Sequence, residues 1–250
     1  MISVLTRIHE SALPYEASWV ESIQANCTEI SELFIWLDGP KPVEWYGDGS
    51  KLKVLGVPIT VCCSLERGYI YGIEAFFHNR SGLVAVLDFD DCWLPGHLAV
   101  ALEKLCMPSK FEFYCCSPIY VNERGDRINT GKTFSTMDAA CVARHSPIPF
   151  SSFVWNAAYS PPNLDHKRLI DNGIAINAFK KGRAFFSPHP TVKIRKTHTS
   201  DSANKFVQFK ERVSFFLVTL EFNILLSIFF AGVKYIHIYS DRVKRRFISN

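Results

Sequence analysis

The stretch Leu83-Val84-Ala85-Val86-Leu87, followed without a break by Asp88-Phe89-Asp90-Asp91, limits the fold more than any other part of the chain. Five unbroken apolar residues behind Ser81-Gly82 are too few for a typical helix and predict a strand buried on both faces, as in a parallel sheet. Three acids in four residues then end the strand. Grouped carboxylates repel one another, which makes physical sense chiefly if a cation or a cationic partner sits beside them. In open α/β sheets that carboxyl edge is where ligands bind.

The preceding chain fits the same architecture. Ile2 to Leu5 reads as a strand running into Thr6-Arg7-Ile8-His9, and Trp19, Ile23 and Cys27 recur at a spacing of four in a helical pattern. Leu33 to Leu37 predicts a second strand closed by Asp38-Gly39-Pro40, and Pro58 to Cys63 a third, ending at Ser64-Leu65-Glu66-Arg67-Gly68. Residues 41–57, rich in Gly, Pro and Lys, read as a surface connection, and Tyr69 to Asn79 as a helix leading into the acid-tipped strand. Alternating strands and helices predict a doubly wound, mostly parallel sheet with helices on both faces. Beyond the acids, Pro95 is placed to open a helix through Leu105, since proline loses no hydrogen bond at a first helical position. The second half is less regular: Phe111 to Val121 extended, short strands and loops over 130–165, a partly helical 164–182 and an extended Ala184 to Arg195.

Composition narrows the class. With 250 residues and 48% hydrophobic content the chain can bury a full core, and a net charge of +4 is too small to argue for nucleic acid. The eight cysteines show no CxxC spacing, and two adjacent pairs lie in apolar runs, which predicts small core residues of a reducing compartment. The first residues read directly as strand with no basic leader, so a cytoplasmic protein is expected.

Val86 to Pro95 resembles the "LDxDDxWxP" pattern of the inverting nucleotide-sugar glycosyltransferases of family 2, which have the GT-A fold, a Rossmann-like arrangement. Ser3 to Glu10 is similar to that family's opening "SVLxSVYN", and Leu37-Asp38-Gly39-Pro40 to its "DDGS" turn with Leu37 in place of the first acid. The resemblance covers about residues 2–200. It implies a donor-binding half over about 1–95, an acceptor half over about 96–204, and a Mg²⁺ or Mn²⁺ cofactor. Asp90 would be the direct metal ligand, and Asp88 would touch the ribose or reach the metal through water. Thr6, Arg7 and His9 would lie along the nucleotide, and Asp38 would accept from the base or ribose. His9 has an alternative reading as a surface or helix-start residue. Glu66-Arg67-Gly68 corresponds to the "NxG" turn, so Arg67 either approaches the nucleotide or is a solvated surface arginine; Gly72-Ile73-Glu74 stand where the family has "ARN". The general base falls at Asp171, in Ile170-Asp171-Asn172, where the family has an "ED" pair; Asp165 and a helix-capping role for Asp171 are the alternatives. Lys193 to His198 resembles "YRxH", which makes His198 a metal ligand or a pocket-lining residue and sets Arg195 and Lys196 near phosphate oxygens.

These residues imply a metal-dependent inverting transfer of one sugar from a nucleoside-diphosphate sugar, a UDP-sugar first, to a surface-glycan or lipid-linked oligosaccharide acceptor. No "QxxRW" is present, which by family comparison argues against a processive synthase. Two rivals remain: a GT-A-fold assembly partner without activity, and a haloacid-dehalogenase-type phosphohydrolase, whose "DxDxT" loop Asp88-Phe89-Asp90-Asp91 also resembles. That loop would follow the first strand, whereas here about 80 residues of strand and helix come first. Residues 205–250 lie outside the resemblance. Phe215, Phe216, Phe222, Phe229 and Phe230 crowd an apolar run whose only formal charges from Val213 to Tyr239 are Glu221 and Lys234, with basic residues on both flanks. Such a segment is expected as a helix lying in the membrane interface, on the cytoplasmic face of an inner membrane; a helix docked on a partner and a true span are the alternatives.

Overall fold

A computed structural model of the chain describes residues 1–47, 50–64, 69–77, 80, 82–106, 111–128, 135–145, 148–158 and 170–196. The expectations for Arg67, Asp165, His198 and the segment 205–250 lie outside these residues. Among the described residues no helix is long and apolar enough to cross a membrane.

The strands are β1 (Ile2–His9), β2 (Ile30–Asp38), β3 (Ile59–Ser64), β4 (Leu83–Val86), β5 (Cys92–Trp93), β6 (Phe113–Val121), β7 (Val154–Asn156) and β8 (Ala184–Arg195). They form one sheet in the order β3-β2-β1-β4-β7-β6-β8-β5. From β3 to β4 every pairing is parallel; β7 and β5 run against the other six. The expected mostly parallel α/β sheet is therefore present, with both reversed strands on the far side of β4 in the sheet order. The carboxyl ends of β1, β2, β3 and β4 consequently open on one edge.

Alternation along the strands divides the core in two. On one face Leu5, Phe34, Trp36, Val84 and Val86 pack against α3 (Tyr69–Phe77), α5 (Ala139–His145) and α6 (Ile170–Lys180) through Ile73, Phe76, Val142, Ile174 and Ile176. On the other, Val4, Ile8, Leu33, Ile35 and Leu37 meet α1 (Glu16–Gln24), α2 (Pro40–Tyr46) and α4 (His97–Cys106) through Trp19, Ile23, Tyr46, Leu98 and Ala101.

Two expectations need correcting. The stretch 41–57 is not a bare surface connection, because α2 and a 3-10 segment over Ser50–Leu55 occupy it and bury Pro42, Tyr46, Leu52 and Leu55. Pro40 and Pro42 fit there because the first turn of a helix has amides without intrahelical acceptors. The helix expected to open at Pro95 begins at His97, after a turn in which Gly96 takes φ +82°, a conformation few residues other than glycine adopt. The cysteines divide: Cys115 and Cys116 are buried as expected, Cys63 and Cys106 are exposed, and none of the eight is joined in a disulfide.

His97 opens α4 fully buried, stacked 5.3 Å from Trp93, with Nδ1 2.8 Å from Thr191 Oγ1. Burial pushes its pKa down to about 3, so the folded chain keeps the ring neutral where the unfolded chain protonates it. The unfolded state binds the extra proton between about pH 6.5 and pH 3. Stability is therefore complete above that window and is lost on acidification, at up to about 1.4 kcal/mol per pH unit. Urea unfolding at pH 6.5 and pH 5 should show wild-type protein losing about 2 kcal/mol more than His97→Gln. Equal losses would remove His97 as the source of acid sensitivity.

Candidate active site

The site is assembled from strand ends on the face occupied by α3 and α6. Along β1, Arg7 and His9 project to this face, whereas Thr6 projects to the other, where it is fully buried and its Oγ1 has no hydrogen-bond partner. The parallel register of β1 and β2 sets His9 beside Asp38, and β3 brings Ser64 alongside Asp38 on the far side. His9 is half-buried, with Nδ1 2.7 Å from Ser11 Oγ. Arg7 holds Asp38 from one side: Nε donates to Oδ2 at 2.8 Å, and Nη2 donates to the same oxygen. The other carboxylate oxygen, Oδ1, is buried without a partner. An unmet buried acceptor costs about 1–3 kcal/mol, so an N–H donor brought to Asp38 Oδ1 would recover that cost.

The acid cluster sits one strand over. Leu87 N–H donates to Leu5 O at 2.9 Å, which carries the β1 ladder past the end of β4. Asp88 to Asp91 then form a turn closed by Asp91 N–H to Asp88 O at 3.0 Å. Phe89 anchors the turn, buried 4.7 Å from the Trp19 ring and 6.1 Å from the Tyr46 ring on the opposite face. With Phe89 turned in, Asp88 and Asp90 remain partly exposed at the edge, while Asp91 is buried.

Electrostatics join this cluster to α6. Desolvation, then Asp90, pushes the Asp88 carboxyl up to about 7; Asp171 adds to the rise and Arg7 opposes it. Asp88 therefore lies within electrostatic reach of both Arg7 and Asp171, residues separated by most of the chain. Asp171 is half-buried in the first turn of α6, and its Oδ1 accepts the Asn172 N–H at 2.8 Å. Asp91 is also raised well above the usual carboxylate range, by burial and then by Asp88 and Asp90, against hydrogen bonds from Ser151 and Arg195 N–H.

The structure gives Arg195 a different task from facing phosphate. Its Nε donates to Asp90 O at 3.1 Å, its Nη1 to the carbonyls of Asn122 (3.1 Å) and Glu123 (2.9 Å), and the guanidinium lies 4.2 Å from the Tyr15 ring centre. Lys196 Nζ lies 4.6 Å from the Tyr120 ring centre. The sequence shows Asp91 only as one of the three grouped acids, and it does not single out Ser151 at all. Ser151 lies in the loop-rich second half, and nothing in Pro149-Phe150-Ser151-Ser152 marks it as a partner of the acids.

Among the described residues there is no group of three or more His, Cys, Asp or Glu placed to hold a metal ion. Asp88 and Asp90 nonetheless fit a divalent cation. They supply hard oxygens at an edge where their charges already oppose one another, and two carboxylates leave most of an Mg²⁺ or Mn²⁺ shell for other oxygens.

No protein-family model matches the chain, and no curated protein matches it in sequence. Solved structures do match in fold. Residues 1–349 of S. aureus TarS in complex with UDP-GlcNAc align over 91% of this chain and 69% of that one, with a TM-score of 0.62 at 11% identity. The chain spans 41% of the longer TarS structure. Mannosyltransferase PcManGT from Pyrobaculum calidifontis, in complex with GDP-Man and Mn²⁺, aligns over 96% of this chain and 75% of its own, with a TM-score of 0.56 at 13% identity. Glucosyl-3-phosphoglycerate synthase from Mycobacterium tuberculosis, in complex with phosphoglyceric acid, aligns over 83% and 76%, with a TM-score of 0.52 at 12% identity. The fold is thus the GT-A-like α/β fold.

Proposed function

We propose that this protein is a metal-dependent, inverting glycosyltransferase that moves one sugar from a UDP-sugar to a surface-glycan or lipid-linked oligosaccharide acceptor. The observation that carries the reading is the Arg7–Asp38 pair and the Asp88–Asp90 acids at the carboxyl ends of neighbouring parallel strands, with Asp171 of α6 within electrostatic reach of Asp88. Folds of this kind hold UDP-GlcNAc in TarS and GDP-Man with Mn²⁺ in PcManGT, which supports a nucleotide-sugar donor. An apolar, basic segment at 205–250 supports an acceptor at a membrane surface.

Each residue has a task. Asp90, with Asp88 beside it, would hold Mg²⁺ or Mn²⁺, and the charge held there offsets the negative charge that grows on the departing diphosphate. Asp38 accepts from the base, and Arg7 fixes Asp38 in place. The acceptor oxygen attacks the anomeric carbon as the bond from that carbon to the diphosphate oxygen breaks, and Asp171 takes the acceptor's proton. A base on α6 and leaving-group residues on the β1 and β4 ends suit attack from the face opposite the diphosphate, which inverts the anomeric centre.

The Arg7–Asp38 geometry also favours uracil. Guanine offers two adjacent donors, N1–H and N2–H, which pair best with both oxygens of a carboxylate. Here Oδ2 already accepts twice from Arg7, and only Oδ1 is unmet. Uracil has one N–H between two carbonyls and needs one acceptor. In Mn²⁺, UDP at about a hundredfold over its Kd should raise the melting temperature by roughly 5–10 °C, with GDP giving a smaller shift at equal concentration. A larger shift with GDP would refute the uracil assignment; no shift with any nucleoside diphosphate would refute the donor site.

A further inference from the structure

The Asp91 carboxylate is 5% exposed, and each of its oxygens is hydrogen-bonded within the protein. Oδ2 accepts the Ser151 hydroxyl at 2.6 Å, and Oδ1 accepts the Arg195 N–H at 2.9 Å. Each of these partners also holds one of the two edge acids by its main chain. Ser151 Oγ accepts the Asp88 N–H at 3.1 Å, and Arg195 Nε donates to the Asp90 carbonyl at 3.1 Å. The serine hydroxyl donates to Asp91 while receiving from the Asp88 N–H, so one buried oxygen links Asp91 to the main chain of Asp88. Both partners are anchored in turn. Ser151 is fully buried and its carbonyl accepts Trp93 Nε1 at 2.6 Å, while Arg195 is held by the 122–123 carbonyls and Tyr15.

We propose that Asp91, Ser151 and Arg195 are positioning residues for the donor site, fixing the separation and direction of Asp88 and Asp90 without touching substrate or metal. The proposal rests on the nucleotide-sugar reading above. Ser151 precedes β7 and Arg195 ends β8, so the network ties the acid turn to the acceptor half, from residues 60 and 104 positions further along the chain. Removing the Ser151 hydroxyl leaves the Asp88 amide and Asp91 Oδ2 each without this partner in a buried place, and the turn must move to meet them elsewhere. Asp38 lies two strands away and keeps its contacts with Arg7. The consequence is selective: cation binding weakens while cation-free nucleotide binding does not.

The test compares wild-type protein with Ser151→Ala and Asp91→Asn, measuring Mn²⁺ binding from the spin-resonance signal of the free aqueous ion. UDP affinity is measured alongside, with Mn²⁺ and with EDTA. The expected result is a folded variant whose Mn²⁺ affinity falls about 10- to 100-fold, the range for residues that orient ligands, with UDP affinity in EDTA within about twofold of wild type. Asp91→Asn keeps the side-chain shape but reverses the polarity toward Ser151, and should lose Mn²⁺ affinity in the same way. Folded variants that bind Mn²⁺ as tightly as wild type would overturn the proposal. Equal losses of UDP affinity with and without Mn²⁺ would do so too, as would failure of both variants to fold, which assigns the network to stability alone. Wild-type protein that binds neither Mn²⁺ nor UDP would instead refute the donor site itself, and the positioning role would fall with it.

Discussion

Asp90→Ala is expected to leave the protein folded and to abolish Mn²⁺-dependent UDP binding and sugar transfer. The substitution keeps the main-chain carbonyl that Arg195 holds, so the turn retains its clamp. It also removes a negative charge that pushes up both Asp88 and Asp91, so apo stability should be unchanged or slightly higher. What it deletes is a partly exposed carboxylate at the ligand edge. If that oxygen holds the cation, transfer should fall by roughly three orders of magnitude or more, matching several kcal/mol of lost charge stabilisation. Mn²⁺-dependent UDP affinity within twofold of wild type would remove Asp90 from the metal site.

Asp171→Asn should separate binding from chemistry. Asparagine keeps an oxygen for the Asn172 N–H and is as good a residue for a helix start, so stability should hardly change. It cannot take the acceptor's proton. Transfer should fall about 10²- to 10⁴-fold while UDP and Mn²⁺ affinities stay near wild type. Loss of donor binding in step with transfer would place Asp171 among the binding residues, and unchanged transfer would move the base elsewhere, with Asp165 next to be substituted. The same pair of measurements tests the alternative of a helix cap, which predicts no kinetic effect from a residue that caps equally well.

How much of this was legible in the sequence depended on how local the cause was. β1, β2 and β4 are apolar runs whose burial follows from their own residues, and the turn at Asp88 follows from the acids that end the run. The meeting of Asp38 with the acid cluster also follows, because parallel strands bring their carboxyl ends to one edge. Residues 41–57 look like a bare connection because prolines and lysines mask a sparse buried set, Pro42, Tyr46, Leu52 and Leu55, whose spacing belongs to no single regular element. The separate place of Asp91 among the three acids was not legible. Asp91 differs from Asp90 only through Ser151 and Arg195, contacts set by tertiary closure that no periodicity records. Arg195 shows the same limit: its type and position suit phosphate, yet the carbonyls of Asp90, Asn122 and Glu123 claim its donors.

The most direct test of a glycosyltransferase assignment is turnover of the donor by purified wild-type protein. UDP release from a panel of UDP-sugars should be followed in Mn²⁺ and in EDTA, with Asp90→Ala as the matched control and GDP-sugars as the competing class. The predicted result is UDP release from at least one UDP-sugar in Mn²⁺, absent in EDTA and absent in Asp90→Ala, with an acceptor glycan accelerating it. Folded protein that binds UDP in Mn²⁺ but releases none from any UDP-sugar, with or without glycan acceptors, would contradict the enzyme and leave a nucleotide-binding assembly partner in its place.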